Sequence, residues 1–467
     1  MFQDATDRTA NLGLLANCCA VFMTVMDCLI VNVALTSIQR SLGADLSRLQ
    51  WVVDAYTLSF ASCLLLAGAL GDRLGYRRMF GAGLAIFVGA SVACGLAPSL
   101  SFLVAARAVQ GLGASLLMPN ALSLLNHSFQ DPAAKARAVG VWACCSSAGA
   151  SAGPVLGGLL VGSFGWRSIF FINVPVGILA FVLLRVSVSE HRAEGRPRPI
   201  DVPGQALAAL ALGCLTFVLI EGRQGGLRAV AAPLGILAAT VVAFIRRQRA
   251  GTEPLVPRNL PDLPAWLNAN GVAFLICFAY YGFVFMVSLY LQGFRHFSPI
   301  VTGLTFLPMT LLQPFLHPFL GRWMAKVGPR LPMMLALGLA TAGFCLASTL
   351  GPGTSRLWLA LVMMPIGLGS SLGISPALVS LLRSTPVACS GVAAGVFNTG
   401  RQVGSLLGVA VLGAFLGSEA HFLQGFRAAV LLSGALMLVG VFGTMTWAQR
   451  GRTEQGPVVD GEAVAEG

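Results

Sequence analysis

Between Leu12 and Thr36 the chain runs for 25 residues with a single charged side chain, Asp27, and comparable apolar blocks recur to its far end. A run of about 18 or more such residues reads as a helix that crosses a bilayer. In hydrocarbon the backbone has no water partner, and a helix satisfies it internally. In order the blocks are Leu12–Thr36, Gln50–Gly71, Met79–Ala97, Ser101–Leu125, Ala138–Val161 and Ser168–Leu184. Then come Pro203–Ile220 and Val230–Ile245, and after them Gly271–Leu291, Val301–Trp323, Leu331–Leu350, Leu357–Leu382, Gly391–Leu416 and Ala428–Trp447. The fourteen spans thus fall as six, two and six. The first block is too long for a signal-peptide core and has no clear small-residue cleavage site after it, so it is expected to be retained.

Charge supports the same count. Charged residues make up 10% of the chain, against about 25% in a soluble protein. With the amino terminus in the cytoplasm, 20 of the 30 Lys and Arg lie on the cytoplasmic side, among them Arg73, Arg77, Arg78, Lys135, Arg137, Arg246 and Arg247. Eight lie on the other side, and Arg107 and Arg401 fall within spans. Cations collect on the cytoplasmic face of membrane proteins, so the bias favours an even number of spans with both termini inside. The net charge of +12 then reflects topology and contact with an anionic leaflet. No basic patch with interleaved aromatics points to nucleic acid. The eleven cysteines include no CxxC pair and no His at metal-ligand spacing, so no metal site is expected and they read as small buried hydrophobes.

The fold class expected is therefore an all-α polytopic membrane protein of two six-helix bundles with two extra central helices. Residues 1–190 would form the first bundle, 191–265 the extra pair and its linkers, and 266–450 the second bundle. Residues 451–467, polar and acidic, read as a disordered cytoplasmic tail.

An ATP-driven pump needs a phosphate-cradling GxxxxGK[ST] loop. The only lysines, Lys135 and Lys326, each follow Ala, so that loop is absent. Nothing suggests a bound cofactor, and no nucleophile–base motif suggests an enzyme. Uphill work is left to an ion gradient. An internal repeat agrees: "GALGDRLGYRR", Gly68 to Arg78, aligns with "GRWMAKVGPR", Gly321 to Arg330, matching Gly75 to Gly328 and Arg77 to Arg330 while Ala325 replaces Asp72. Two halves with corresponding loops suggest a secondary transporter that rocks about a midplane site.

Five stretches then carry a family resemblance. They are "MDCLIVNVAL" from Met26, the loop Gly68–Arg78, "RAVQGLGASLLMP" from Arg107, "GASAGPVLGG" from Gly149 and "NTGRQVGSLLGVA" from Asn398. In order and over essentially the whole chain, they resemble the major facilitator superfamily, specifically its fourteen-span drug:proton antiporter branch. The resemblance implies a conformational latch at Gly68, Asp72, Arg73, Gly75 and Arg77. It also implies that the small-residue stretch Gly149, Gly153, Pro154, Gly157 and Gly158 is a gating contact between halves. Simple close packing of small residues is the plainer reading of that stretch.

The intramembrane polar residues supply the candidate site. Asp27 lies about 14 Å below the outer end of its span, where a carboxylate costs about 2.5–3.5 kcal/mol even on a lenient insertion scale. Burial favours the neutral acid and a nearby cation the ionised one. An acid held between the two exchanges a proton for a cationic substrate, unless it is locked in a structural pair with Arg107 or Arg401. Asp27 is the first choice for proton coupling and Asp54, near the outer surface, the second, with Arg107 as the counter-charge. Asn32, Gln110, Asn398 and Arg401 are expected to wall a substrate cavity, with Gln402 beside them. Glu221 reads as a loop residue, and His317, between Pro314 and Pro318, as a structural partner for freed carbonyls.

These readings converge on a plasma-membrane exporter of lipophilic drugs or antibiotics, cations among them, driven by the proton gradient and acting as a monomer in the bilayer. A dedicated exporter of one metabolite or lipid, an uptake symporter of the same fold, and a passive channel are the alternatives.

Overall fold

The computed structural model describes residues 2–129, 131–188, 190, 201–250, 262–386, 390–416 and 421–453. Among them there are no strands. Six helices come first: α1 (Phe2–Leu42), α2 (Leu46–Leu74), α3 (Tyr76–Gly95), α4 (Leu100–Ser128), α5 (Pro132–Phe164) and α6 (Ser168–Ser187). The extra pair follows as α7 (Val202–Gly222) and α8 (Arg228–Ala250), and the chain breaks helical geometry between them at Gly226, φ 61°. The second six are α9 (Leu263–Phe294), a segmented α10, α11 (Arg330–Ala347), α12 (Arg356–Arg383), α13 (Ser390–Ala414) and α14 (Phe422–Thr453).

Thirteen of these are long and apolar enough to cross a membrane. The other, α13, has the length but is interrupted by Asn398, Arg401 and Gln402. The six, two and six arrangement is thus present in the described residues. Most of the expected linkers, 191–200 and 251–261, and the tail from 454 onward lie outside them, as does the side chain of His317.

Caps set the boundaries. Asp45 and Asp131 accept the backbone N–H of Arg48 (2.9 Å) and Ala134 (2.7 Å), opening α2 and α5, and such side chains satisfy amides that a helix start leaves unpaired. Gly75 closes α2 at φ 105° and Gly328 closes α10 at φ 74°. Only glycine adopts that region readily. The repeat seen in the sequence is therefore a repeated turn.

Proline explains where expected spans break. The tenth is three pieces, Pro299–Thr305, Leu307–Thr310 and Gln313–Val327, because Pro308 and Pro314 offer no N–H for a continuous ladder.

Packing has a two-fold logic. In the first half α1 lies on α5 and α3 on α4, and in the second α9 lies on α13 and α11 on α12. Across the halves α2 packs on α13 and α5 on α10, so each half's second helix meets the other's fifth. The extra pair lies against both α2 and α13. Its remaining surface presents Leu234, Ile236, Val241, Val242 and Ile245 outward, as suits side chains in lipid.

Candidate functional site

Asp27 and Arg107 meet. Arg107 Nη1 donates to Asp27 Oδ2 in a short ion pair, with the two side chains 1% and 0% exposed. Gln110 Nε2 (3.0 Å) and Asn173 Nδ2 (2.8 Å) donate to Asp27 Oδ1. Arg107 also donates to Gln110 Oε1 (2.7 Å) and, through Nε, to the Val52 carbonyl (3.2 Å), while its guanidinium carbon lies 4.3 Å from the centre of the Tyr56 ring. Ser91 accepts from Asn173 (3.0 Å) and donates to the Phe170 carbonyl (2.8 Å). The network ties α1, α2, α3, α4 and α6 together. Of the open readings for Asp27, the pair with Arg107 is the geometry found.

A cavity of about 1110 Å³ lies between the halves. Thr24, Val25 and Cys28 of α1 line it, with Phe60, Leu64 and Gly68 of α2 and Asn398, Arg401 and Gln402 of α13. Its mouth is set by Asp72, Asp201 and the exposed Arg246 and Arg247, at the end that the charge bias assigns to the cytoplasm. Asn398 and Arg401 thus stand where expected. Asn32 and Gln110 do not. Asn32 is 2% exposed, its side chain bonding back to the Cys28 carbonyl (3.0 Å), and Gln110 is committed to the Asp27 network.

At the other end the halves are closed. Gln50 Nε2 donates to the carbonyls of Val409 (3.0 Å) and Ala410 (3.2 Å). Ser288 Oγ donates to the Asn32 carbonyl (2.5 Å) and Gln292 Nε2 to that of Val33 (2.7 Å). The molecule is therefore in an inward-facing state. Beneath this seal, one turn below Gln50, Asp54 is fully buried, and neither carboxylate oxygen has a hydrogen-bond partner among the described residues. A small void bounded by Thr57, Tyr281, Gln402 and Ser405 lies next along α2 and shares Cys28, Tyr281 and Gln402 with the cavity wall.

The small-residue stretch of α5 serves both faces. A β-carbon at Gly149 or Gly153 would come within 2.6 Å or 3.0 Å of the carbonyls of Phe22 or Met26, and one at Gly157 within 2.9 Å of the Ile30 side chain, all on α1. One at Gly158 would meet the Pro299 carbonyl at 2.5 Å, and one at Gly303 the Pro154 carbonyl at 2.3 Å. The α5–α10 contact between halves is thus backbone against backbone.

In the Gly68–Arg78 loop, Gly68 faces Pro119 and Asp72 accepts the Tyr76 hydroxyl (2.8 Å). Arg77 donates through Nη2 to the Arg185 carbonyl (3.1 Å) and through its backbone to Glu190 Oε1 (3.1 Å), and Arg78 pairs with Glu190 at 3.6 Å. The loop, with Arg73 exposed in it, is thereby braced onto the end of α6. Two participants, Asn173 and Glu190, were not foreseen from the sequence, and Glu221, expected in a loop, lies at the end of α7 and accepts from Trp51 Nε1 at 2.9 Å. An acid or amide opposite a lone Trp or Arg on another helix was the only available signal.

Two six-helix bundles related by a two-fold, with a cavity of mixed polar and apolar lining at their interface and a seal at one end, have the architecture of secondary transporters. A solved peptide transporter POT in complex with sulfate shares the fold at a TM-score of 0.69 and 18% identity, over 94% of this chain and 94% of that one. Residues 18–409 match the model of the Major Facilitator Superfamily. The chain belongs to that family and is a multi-pass protein of the plasma membrane. It is 36% identical over 415 residues to "Multidrug resistance protein Stp" of Mycobacterium tuberculosis, covering 88% of this chain and 76% of that one. It is 38% identical over 426 residues to "Tetracenomycin C resistance and export protein" of Streptomyces glaucescens, covering 87% and 76%.

Proposed function

We propose that this protein exports lipophilic small molecules, drugs or antibiotics among them, in exchange for protons by alternating access. The observation that carries the reading is the cavity between the halves, open beside Asp72 and Arg246 and shut beyond Gln50. The names of the two relatives, one of them an export protein, support outward transport of such compounds.

For the coupling site the geometry favours Asp54 over Asp27. Asp27 already holds three donors in this inward-facing state, so a proton would have to dismantle a satisfied network. Asp54 has no partner for either oxygen. A bare carboxylate so buried is very costly, and the site suits the protonated acid. Parting of α2 from α13 at Gln50 would bare Asp54 to the outside, where it loads. Closure returns it to the inside, where it gives up the proton toward the cavity as substrate binds. Asp27 and Arg107 act as the brace that holds the first half rigid while this happens.

Asp54→Asn in proteoliposomes tests the assignment. Substrate binding and substrate–substrate exchange are expected to persist, while drug-dependent proton movement is lost. Wild-type proton movement in the variant would end the role given to Asp54. The sign of the pH change on adding substrate separates export from uptake by the same fold.

A further inference from the structure

The charges around the central cavity do not cancel. Its wall carries two acids, Asp72 and Asp201, and three arginines, Arg246, Arg247 and Arg401. Both acids sit at the mouth and are occupied. Asp201 pairs with Arg247 at 2.6 Å, and Asp72 accepts from Tyr76. Arg401 is different. It lies about 15 Å into α13 from the helix's cytoplasmic end, with no carboxylate in ion-pair range among the described residues. Its Nη1 donates to Asn398 Oδ1 at 3.3 Å, and its Nε is buried with no acceptor. The other deep acids are out of play, because Asp27 is held by Arg107 and Asp54 is shut away from the cavity wall.

An arginine in such a place has one evident use. Its planar fork matches a carboxylate or similar oxyanion through paired hydrogen bonds, and Asn398, Gln402 and Tyr281 stand beside it in the wall. Phe60, Leu64, Leu65 and Met118 supply apolar surface for the rest of a ligand. We propose that Arg401 anchors the acidic group of the cargo, and that the transported class is an amphiphilic organic anion, a carboxylate, enolate or phenolate on an apolar body. The proposal rests on the exporter reading and narrows it. A lipophilic cation, expected from the sequence as one kind of cargo, would find three arginines, Asp201 already paired with Arg247, and Asp72 only at the mouth, far from the deep wall.

The test uses three probes with one aromatic body: naphthoate, naphthamide and naphthylmethylammonium. Binding to the purified full-length protein in phosphatidylcholine nanodiscs is read by calorimetry, separately from any transport. Naphthoate is expected to bind roughly tenfold or more tighter than the ammonium, as a charged hydrogen bond implies. Arg401→Gln should remove that preference and Arg401→Lys keep part of it. Asn398→Asp, which gives Arg401 a partner of its own, should abolish naphthoate binding while the protein still elutes as a folded species, so the outcome does not depend on the Gln variant folding. Equal or tighter binding of the ammonium overturns the proposal, as does naphthoate binding that ignores Arg401→Gln and Asn398→Asp. Phosphatidylglycerol that displaces naphthoate from Arg401 would assign the arginine to a lipid headgroup and also overturn it. If naphthoate binds as expected but no compound moves with protons in vesicles, the exporter reading fails and the anion site stands. If a drug panel is exported while naphthoate shows no preference, the reverse holds.

Discussion

Breaking the Asp27–Arg107 pair from one side should cost far more than removing it whole. In Asp27→Leu, Arg107 keeps the Val52 carbonyl, Gln110 Oε1 and the Tyr56 ring, but its charge loses the one carboxylate in range among the described residues. In Arg107→Met, Asp27 keeps two amide donors and no cation. Each case strands a buried charge, at a cost of about 3–5 kcal/mol. Asp27→Asn is no gentler, since its amide would turn a donor toward Arg107 or lose an acceptor for Gln110 and Asn173. The double variant Asp27→Leu/Arg107→Met removes both charges. What remains is the loss of one acceptor shared by Gln110 and Asn173 and of the Arg107 donors to the Val52 carbonyl and Gln110 Oε1, roughly 2–3 kcal/mol in all. The double-mutant cycle should therefore show at least about 3 kcal/mol of coupling. Detergent-titrated unfolding, followed by labelling of the buried thiols Cys18, Cys94 and Cys277, measures it. Additive costs, or single variants as stable as the parent, would refute the brace.

Two further outcomes follow from the backbone contacts. Gly303→Val places a side chain where even a β-carbon meets the Pro154 carbonyl at 2.3 Å, so the α5–α10 seal should open and the population shift outward. Labelling of a Gln292→Cys variant by an impermeant thiol reagent should rise several-fold, and unchanged labelling would dismiss the seal. Gly75→Ala forces a β-carbon to φ 105°, 2.1 Å from Glu190 Oε1. That costs about 1–3 kcal/mol and frees the loop from α6, so transport velocity should fall while membrane insertion, checked by fractionation, is unaffected.

The number and order of the spans were legible because hydropathy acts on each helix alone. The meeting of Asp27 with Arg107 was also half legible, since two opposite charges in hydrocarbon must find partners and few existed. Which way a polar residue faces was not. Asn32 and Gln110 sit on the same helices as lining residues, yet helix rotation turns them to the seam and to the network. Glu221 looked like a loop residue because Trp51, its donor, lies 170 positions away in the chain. The break of the tenth span at Pro308 and Pro314 was written in the sequence, but hydropathy averages over it.

A machine of two equivalent halves would show the lipid two equivalent seams, one along α2 and α13 and one along α5 and α10. Here α7 and α8 lie across the first, held to α2 by Trp51 and Glu221 near one end and to each other by Asp201 and Arg247 near the other. The transporter thus has a front and a back. On the exporter reading, cargo dissolved in the inner leaflet would meet a covered wall on one side and, among the described residues, an uncovered seam on the other, and the covering pair would slide on one half with each change of state.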